Sequence, residues 1–508
     1  MNSFVSRKRM AGSAALFGRM FAPAVPVFVG AARMRMGAVR ARVTQAHMLA
    51  AVHVAVLAVQ VLALVGLLSQ VLPLQSAVAE PITLAGAVAR AQAKYPSVRA
   101  AQAAERAAAA AVGQPAAERW PSVRAQGSFV RYEEPSLVRP LHSFDLTAAP
   151  PEFDDTLLRG DLSVGWTLFE GGARVARVSG ARAEAADASA ARESAEMALT
   201  TQVTRAYLQV LATRGVLDAE SRHTESLASE RRRVEQLLEQ GRAARVELLR
   251  VQAALAQAEA ARVATTTRLD LAERSLARFV DLPPDAVRAG NLQPVQLATA
   301  RAVREDVPEE RAALFEAAVL DNPDLERARR RLEAAEAARR VARAAWFPKL
   351  DAFGSYLGYG SDSGDGTLEW QAGFGVSYPL FTAGGRRSAV SRAGALAEAA
   401  REEFRLAELQ VEQELDRALN AVLEARSVVE AVALSVQHQT EVVRIEQLSL
   451  DSGSGTQTDY LRAEADLLRA RSALVEAEHT EIAAHVELAR VLGELTPEWI
   501  DANLESEP

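Results

Sequence analysis

The apolar positions of this chain change their spacing several times, and the changes come in the same order twice. A helical period runs from about 83 to 118, and Ala/Glu/Arg-rich spacing of the same kind returns in 318–340. Trp120-Pro121 and Phe347-Pro348 close these stretches, because the residue before a proline is pushed out of the α region. Alternation then takes over. In 122–132 and 161–169 it puts Leu162, Val164, Trp166 and Leu168 on one face, and in 349–359 and 371–381 it does the same for Ala372, Phe374, Val376, Tyr378 and Leu380. Two pairs of strands are predicted. The helical period next returns in a stretch from about 173 to 239, marked by Val203, Tyr207 and Val210 and by Val234, Leu237 and Leu238, and after a break at Gly241 it continues from about 245 to 279. The second passage predicts a helix at 386–450, a break at 451–458 and a helix at 459–492. At 1.5 Å per residue the longer helices reach roughly 100 Å, so such hairpins must pack against neighbours as coiled coils.

The chain is thus written twice. Pro96 aligns with Pro323, and Trp120-Pro121 with Phe347-Pro348, at an offset of 227. Gly171-Gly172 aligns with Gly384-Gly385 at 213, and Gly241, Glu247 and Leu249 align with Gly453, Asp459 and Leu461 at 212. The shrinking offset marks an insert in the first copy. Residues 133–160, rich in proline and acids, are read as that loop, and "GSDSGDG" (360–366) as the matching turn of the second copy. The expected organisation is a leader at 1–79, a first repeat at 80–280 and a short Pro-rich linker with a little local structure at 281–312. A second repeat at 313–495 and a tail at 496–508 complete it. Pro115 stands where the repeat has Ala342 and is expected to kink the first helix.

Composition narrows the function. Only 5% of residues are aromatic while 49% are hydrophobic, which suits long helices better than a mixed globular core. The first 79 residues hold eight Lys/Arg and no acid, 49–68 is apolar, and Ala77-x-Ala79 suits cleavage before Glu80. This reads as an export signal with its true start near Met36; the alternative is that 49–68 stays as a membrane-spanning helix. Loss of the leader takes the formal charge from −7 to −15, which makes nucleic acid an unsuitable partner. With no cysteine, disulfides, thiolate metal sites and cysteine nucleophiles are excluded together.

No catalytic, cofactor-binding or metal-ligating residue is assigned, and the chain is not read as an enzyme. His479 and His485 stand six apart and do not share a helix face. Residues 358–366 place Asp362 and Asp365 as a calcium loop does but lack its later ligands, and 453–455 lacks the lysine of a phosphate loop.

The strands decide the matter. Nine to eleven alternating residues fit a transmembrane β-strand, yet four strands cannot close a barrel, and lipid does not tolerate open edges. Either the strands form a small soluble sheet, or chains pool them, giving eight from two copies or twelve from three. The doubled junction "WTLFEGGAR" (166–174) and "YPLFTAGGR" (378–386), with the upstream helix–aromatic–Pro–strand order and the downstream "G-x(5)-[DE]-x-L" turn, closely resembles the TolC-like outer membrane factor (outer membrane efflux protein) family over about 82–495. The resemblance implies a mainly α fold with transmembrane β: two tandem repeats, four strands per chain in a homotrimeric twelve-stranded barrel, and a periplasmic tunnel of twelve helices.

It also implies an outer-membrane exit duct for drug efflux or protein secretion. Such a duct docks to a periplasmic adaptor (membrane fusion protein) and, through it, to an inner-membrane transporter driven by protons or ATP. On this reading Gly171, Gly172, Gly384 and Gly385 let the strand bend into the helix, and Phe169 and Phe381 sit at the lipid boundary. Gly241, Gly453 and Gly455 form the tips, with Leu249 and Leu461 beside them as adaptor contacts or as ordinary seam residues. Asp459 occupies the position of a constricting carboxylate ring, and Glu247 is its counterpart in the first copy. Arg462 stands where some members have a second acid, and Gly455 where some carry a basic residue. The competing expectation is a soluble or membrane-anchored periplasmic coiled-coil adaptor or scaffold.

Overall fold

Proline placement breaks the chain before its first strand. A computed structural model describes residues 82–144, 150–290, 292–298, 308–362 and 366–506, all within one unit, Val78–Pro508. The expected leader, Met36, Glu80, Asp365 and part of the linker lie outside the described residues. Helix α1 (Leu84–Lys94) stops at an extended Tyr95, α2 (Pro96–Ala111) restarts with proline in its first turn, and α3 (Gly113–Ala117) carries Pro115. The single helix expected over 83–118 is therefore three segments: Pro96 forces Tyr95 out of the α region, as Pro121 ends the run, and Pro115, which has no amide hydrogen to donate back, accompanies the second break at Val112.

Strands β1 (Ser122–Leu137) and β2 (Phe153–Phe169) follow. They are longer than their alternating parts, so much of 133–160 is strand and not loop. Ser136 pairs with Asp154 and Leu137 with Phe153 beyond a register shift, and backbone pairing extends the ladder where no apolar pattern announces it. Then come α4 (Ala173–Glu239), α5 (Arg245–Val280), α6 (Pro284–Ala289) and β3 (Val295–Leu297). The second copy supplies α7 (Pro308–Asp321), α8 (Pro323–Ala344), β4 (Lys349–Ser361), β5 (Thr367–Ser377), α9 (Gly385–Asp451) and α10 (Gln457–Leu492), before α11 (Pro497–Asn503) and β6 (Leu504–Ser506).

The two copies match residue for residue in their long elements. Helices α4 and α9 have 67 residues each, and α5 and α10 have 36 each. Gly172 and Gly384 both cap a 67-residue helix at φ 84°. The true offset at the junction is therefore 212, not 213: Gly172 pairs with Gly384, Gly171 (φ 62°) with Ala383 (φ 47°), and Gly385 is already helical.

The strands form one antiparallel sheet in the order β1-β2-β4-β5. Its central pair, β2 with β4, joins the two copies. Among the helices, α4 packs between α2 and α8 on the side of the strands and between α5 and α10 farther along, while α9 packs on α8 and α10. Salt bridges stitch these contacts, Arg192 of α4 to Glu105 of α2 at 3.0 Å and Arg401 of α9 to Glu336 of α8 at 3.0 Å.

The largest buried cluster draws on α1, α4, α5 and α10 and is closed by linker and tail together. Strand β3 pairs antiparallel with β6, and Ile82 bridges Leu292. Tyr207, fully buried, sets its hydroxyl 2.6 Å from the Ile82 carbonyl and 2.9 Å from that of Gln293, and burial pushes its phenol upward in pKa. A second cluster holds Leu325 of α8 against Leu415 of α9 and Val491 of α10. There Asn322 caps α8, accepting from the amides of Asp324 and Leu325 and donating to the Val491 carbonyl at 2.9 Å.

Candidate transmembrane sheet and helical tips

Residues paired across an antiparallel ladder share a face, and neighbours along a strand do not. The registers therefore sort the sheet. One face carries Val123, Ala125 and Phe129 of β1, Leu158, Leu162, Val164 and Trp166 of β2, Ala352 and Tyr356 of β4, and Leu368, Trp370, Phe374 and Val376 of β5. The opposite face carries Arg124, Gln126 and Ser128, Arg159, Asp161 and Ser163, Asp351 and Ser355, and Thr367, Glu369 and Gln371, with Val130, Leu157, Phe353, Leu357 and Tyr359 as apolar or aromatic exceptions. The apolar face is bare: Trp370 is 73% and Phe374 76% exposed. Strands β1 and β5 are paired on one side only among the described residues. A continuous apolar patch of this extent, backed by a polar face and ending in two open edges, demands both an apolar solvent and further strands.

At each junction a left-handed glycine turns the strand into a 67-residue helix, which L-residues with a Cβ do only under strain. A Cβ on Gly171 would also lie 2.7 Å from the Ala344 carbonyl and 2.7 Å from Phe347 Cβ. The arginine written into both motifs locks the bend. Arg174 donates to the Thr167 carbonyl, and its counterpart Arg386 donates to the Pro379 carbonyl at 2.6 Å while lying over the rings of Trp346 (4.7 Å) and Tyr378 (5.2 Å). Their roles were not assigned from sequence, although the repeated Arg was the signal. Phe169 and Phe381 both stay exposed beside the bend.

The far ends of the hairpins are built alike. Gly241 (φ 71°) and Gly453 (φ 77°) terminate the long helices, the amides of Arg242 and Ser454 reaching back to the carbonyls of Leu237 and Ser449. Gly455 also donates its amide to the Ser449 carbonyl at 2.9 Å. Glu247 and Asp459 each occupy the third position of the returning helix. Glu247 Oε2 accepts the Ala244 amide at 3.3 Å. The Thr456 hydroxyl accepts the Asp459 amide at 3.2 Å and donates to Asp459 Oδ2 at 2.6 Å. Glu247 thus helps cap its helix, whereas the cap of the other helix is Thr456, whose hydroxyl Asp459 holds in place. Asp459 and Leu249 are exposed, Glu247 and Leu461 half-buried. Arg250 Nη1 donates to Thr458 Oγ1 at 2.8 Å and ties one tip to the other.

Behind the tips lies a cluster that no local pattern in the sequence marks. Glu464 of α10 accepts from Tyr460 at 3.1 Å and from Ser226 of α4 at 3.4 Å, with His223 Nδ1 3.5 Å from its other oxygen. Burial raises the Glu464 pKa, but His223, Tyr460 and Ser226 outweigh it and hold the carboxyl below the ordinary range. A groove of about 500 Å³ opens beside it between α4, α9 and α10. At the other end of the molecule Asp362 meets Asp154 and Asp155, their carboxylates within 4.8 Å of one another. Arg131 pairs with Asp155 at 3.2 Å there.

Comparison with known proteins agrees with this geometry. The profile described as "Outer membrane efflux protein" matches residues 87–280 and 314–494. Outer membrane efflux protein BepC of Brucella suis biovar 1 (strain 1330) is 26% identical over 310 residues, which span 59% of this chain and 64% of that protein. The outer membrane protein VceC of Vibrio cholerae superposes with a TM-score of 0.68 at 20% identity, covering 81% of this chain and 96% of VceC. The MtrE outer membrane channel of Neisseria gonorrhoeae superposes at 0.64 with 19% identity, over 81% of this chain and 91% of MtrE. These likenesses establish the fold.

Proposed function

The chain belongs to the outer membrane efflux protein family, and on that premise we propose that three copies form a passive exit duct, a twelve-stranded barrel in the outer membrane continued by a helical tunnel in the periplasm. The observation that carries the reading is the bare apolar face bounded by two edge strands that are each paired on one side only among the described residues. Lipid covers such a face, but it cannot satisfy the free backbone groups of β1 and β5, so β5 of one copy pairs with β1 of the next. Two copies would give eight strands, a barrel whose interior side chains fill; twelve leave a lumen lined by Arg124, Asp161, Gln371 and their neighbours on the polar face.

The repeat predicts the seam. Gly171 packs on Ala344 and Phe347 within the chain, so its counterpart Ala383 faces Ala117 and Trp120 of the next copy. Trp120 is 73% exposed in the single chain, which leaves it free to do so. At the tips Asp459, with Glu247 as its lesser counterpart, narrows the periplasmic entrance as a carboxylate ring. Gly241, Gly453, Gly455, Leu249 and Leu461 form the surface on which a periplasmic adaptor docks, and the adaptor connects the duct to an inner-membrane transporter. A periplasmic scaffold, by contrast, would leave the apolar sheet face in water.

The test is biochemical. The protein should remain with the outer membrane after carbonate washing, migrate in mild detergent as a trimer that collapses on heating, and conduct in planar bilayers. A monomer in mild detergent, or recovery in the soluble extract, would overturn the reading.

A further inference from the structure

We propose that Val138–Phe144, the first part of the β1–β2 connection, is a strap across the polar face of the sheet that narrows the exterior mouth of the duct and sets what size of solute can pass it. The inference rests on the trimeric duct proposed above, which makes the polar face the lumen wall. It adds a selective element at the end of the molecule opposite the helical tips.

The strap is anchored at both ends of its reach. The Val138 amide donates to the Glu152 carbonyl at 3.1 Å where β1 ends. From there the chain passes Pro140, makes a tight turn at Leu141–Ser143, and is held to β5, the strand at the other edge of the sheet. Arg139 Nη1 donates to Thr367 Oγ1 at 2.6 Å, and His142 Nε2 lies 2.7 Å from Glu369 Oε1. Thr367 and Glu369 are alternate residues of β5, and both belong to the polar face. Arg139 stacks its guanidinium 4.3 Å from the Phe144 ring centre, which stiffens the crossing.

Burial supports the same path. Leu157 and Ser361 are buried in the sheet, as is Val138 where β1 ends. Leu157 and Ser361 are cross-strand partners on the polar face, so what covers them lies on that side. Arg159 and Asp161 of β2 lie on the same polar face, and Arg124 lies one row deeper. The mouth is therefore lined by opposed charges, and three copies bring three straps to one opening. The second copy has only five residues between β4 and β5, so the extra length of the first copy is what makes the strap.

The chain has no cysteine, so Leu141→Cys, at a position 53% exposed, introduces the sole thiol. Single channels of this variant are recorded in planar bilayers before and after a small and a bulky membrane-impermeant methanethiosulfonate reagent. The bulky reagent should lower the unitary current and the small one should lower it less. Adding Arg139→Ala and His142→Ala should raise the unitary current and abolish much of that block, with heat-labile trimers as the control for folding. Conducting trimers whose current ignores both the reagent and the released latch would overturn the strap alone. Absence of conducting trimers from the parent protein would overturn the strap together with the duct.

Discussion

The two strand-to-helix junctions follow one plan and differ in their surroundings. Each has a left-handed glycine at φ 84°, an exposed phenylalanine and an arginine that reaches back to a carbonyl seven residues earlier. The first junction is completed within its own chain, where Gly171 touches Ala344 and Phe347; the second has an exposed Ala383 at the same place. A repeat whose first copy is packed and whose second is bare describes an assembly with its missing contact on another copy. The largest expected effect tests that contrast. Gly171→Val should cost about 3 kcal/mol or more, from a strained left-handed conformation plus overpacking, and should abolish heat-modifiable trimers. Ala383→Val should leave the protomer folded and lower only the temperature at which trimers dissociate. Equal damage to protomer folding by both substitutions would break the comparison.

The two faces of the sheet form a second contrast with a somewhat smaller effect. Phe374→Arg, on the apolar face, should destabilise the inserted protein by about 2–4 kcal/mol if it lies near the bilayer midplane. Gln371→Arg, on the opposite face of the same strand, should be close to neutral for stability and shift ion preference instead. Urea titration of the protein folded into detergent micelles or vesicles would separate the two outcomes.

At the tips the contrast is smaller still, because both acids already serve a helix start, Glu247 by accepting the Ala244 amide and Asp459 by holding the Thr456 cap. Asp459→Asn should weaken cation preference in reversal-potential measurements, and Glu247→Gln should do so less, since Asp459 is exposed and Glu247 half-buried. Unchanged selectivity in Asp459→Asn would reduce Asp459 to a capping residue.

Sequence periodicity made legible whatever repeats over many residues. The 67-residue helices, the alternating parts of the strands and the left-handed Gly171, Gly172, Gly241, Gly384 and Gly453 announce themselves through period or residue type, whereas Gly385 is helical and Ala383 takes the left-handed position in its place. The failures have physical causes. Glu133, Glu134 and Pro135 break alternation, yet β1 runs through them because β2 offers backbone partners beyond. Tyr95-Pro96 was readable by the same rule that ended the helix at Trp120-Pro121, but the Ala-rich flanks on both sides masked the break. Strands β3 and β6 have three residues each and lie some 200 positions apart, too short for any period to show. The strap and the Glu464 cluster are likewise made by side chains remote in sequence, Arg139 with Thr367 and Ser226 with Glu464.

That Glu464 cluster supplies the smallest effect and the sharpest comparison between the tips and the helices behind them. Burial raises the carboxyl's pKa, and its neighbours lower it by more, so the net folded-state value lies below the unfolded one. The sign follows from linkage: this contribution is fully present above the unfolded pKa and is lost as pH falls through the folded value. Acidification below the ordinary carboxylate range should therefore loosen α4 from α10 near the tips before it disturbs the equatorial core. Hydrogen exchange compared between neutral pH and a pH below the ordinary carboxylate range should show it as faster exchange confined to residues near Ser226 and Glu464. Glu464→Gln should remove that pH step while leaving exchange around Tyr207 unchanged. If acid instead accelerates both regions together, the hairpins and the core open as one unit, and the tips have no separate freedom with which to gate.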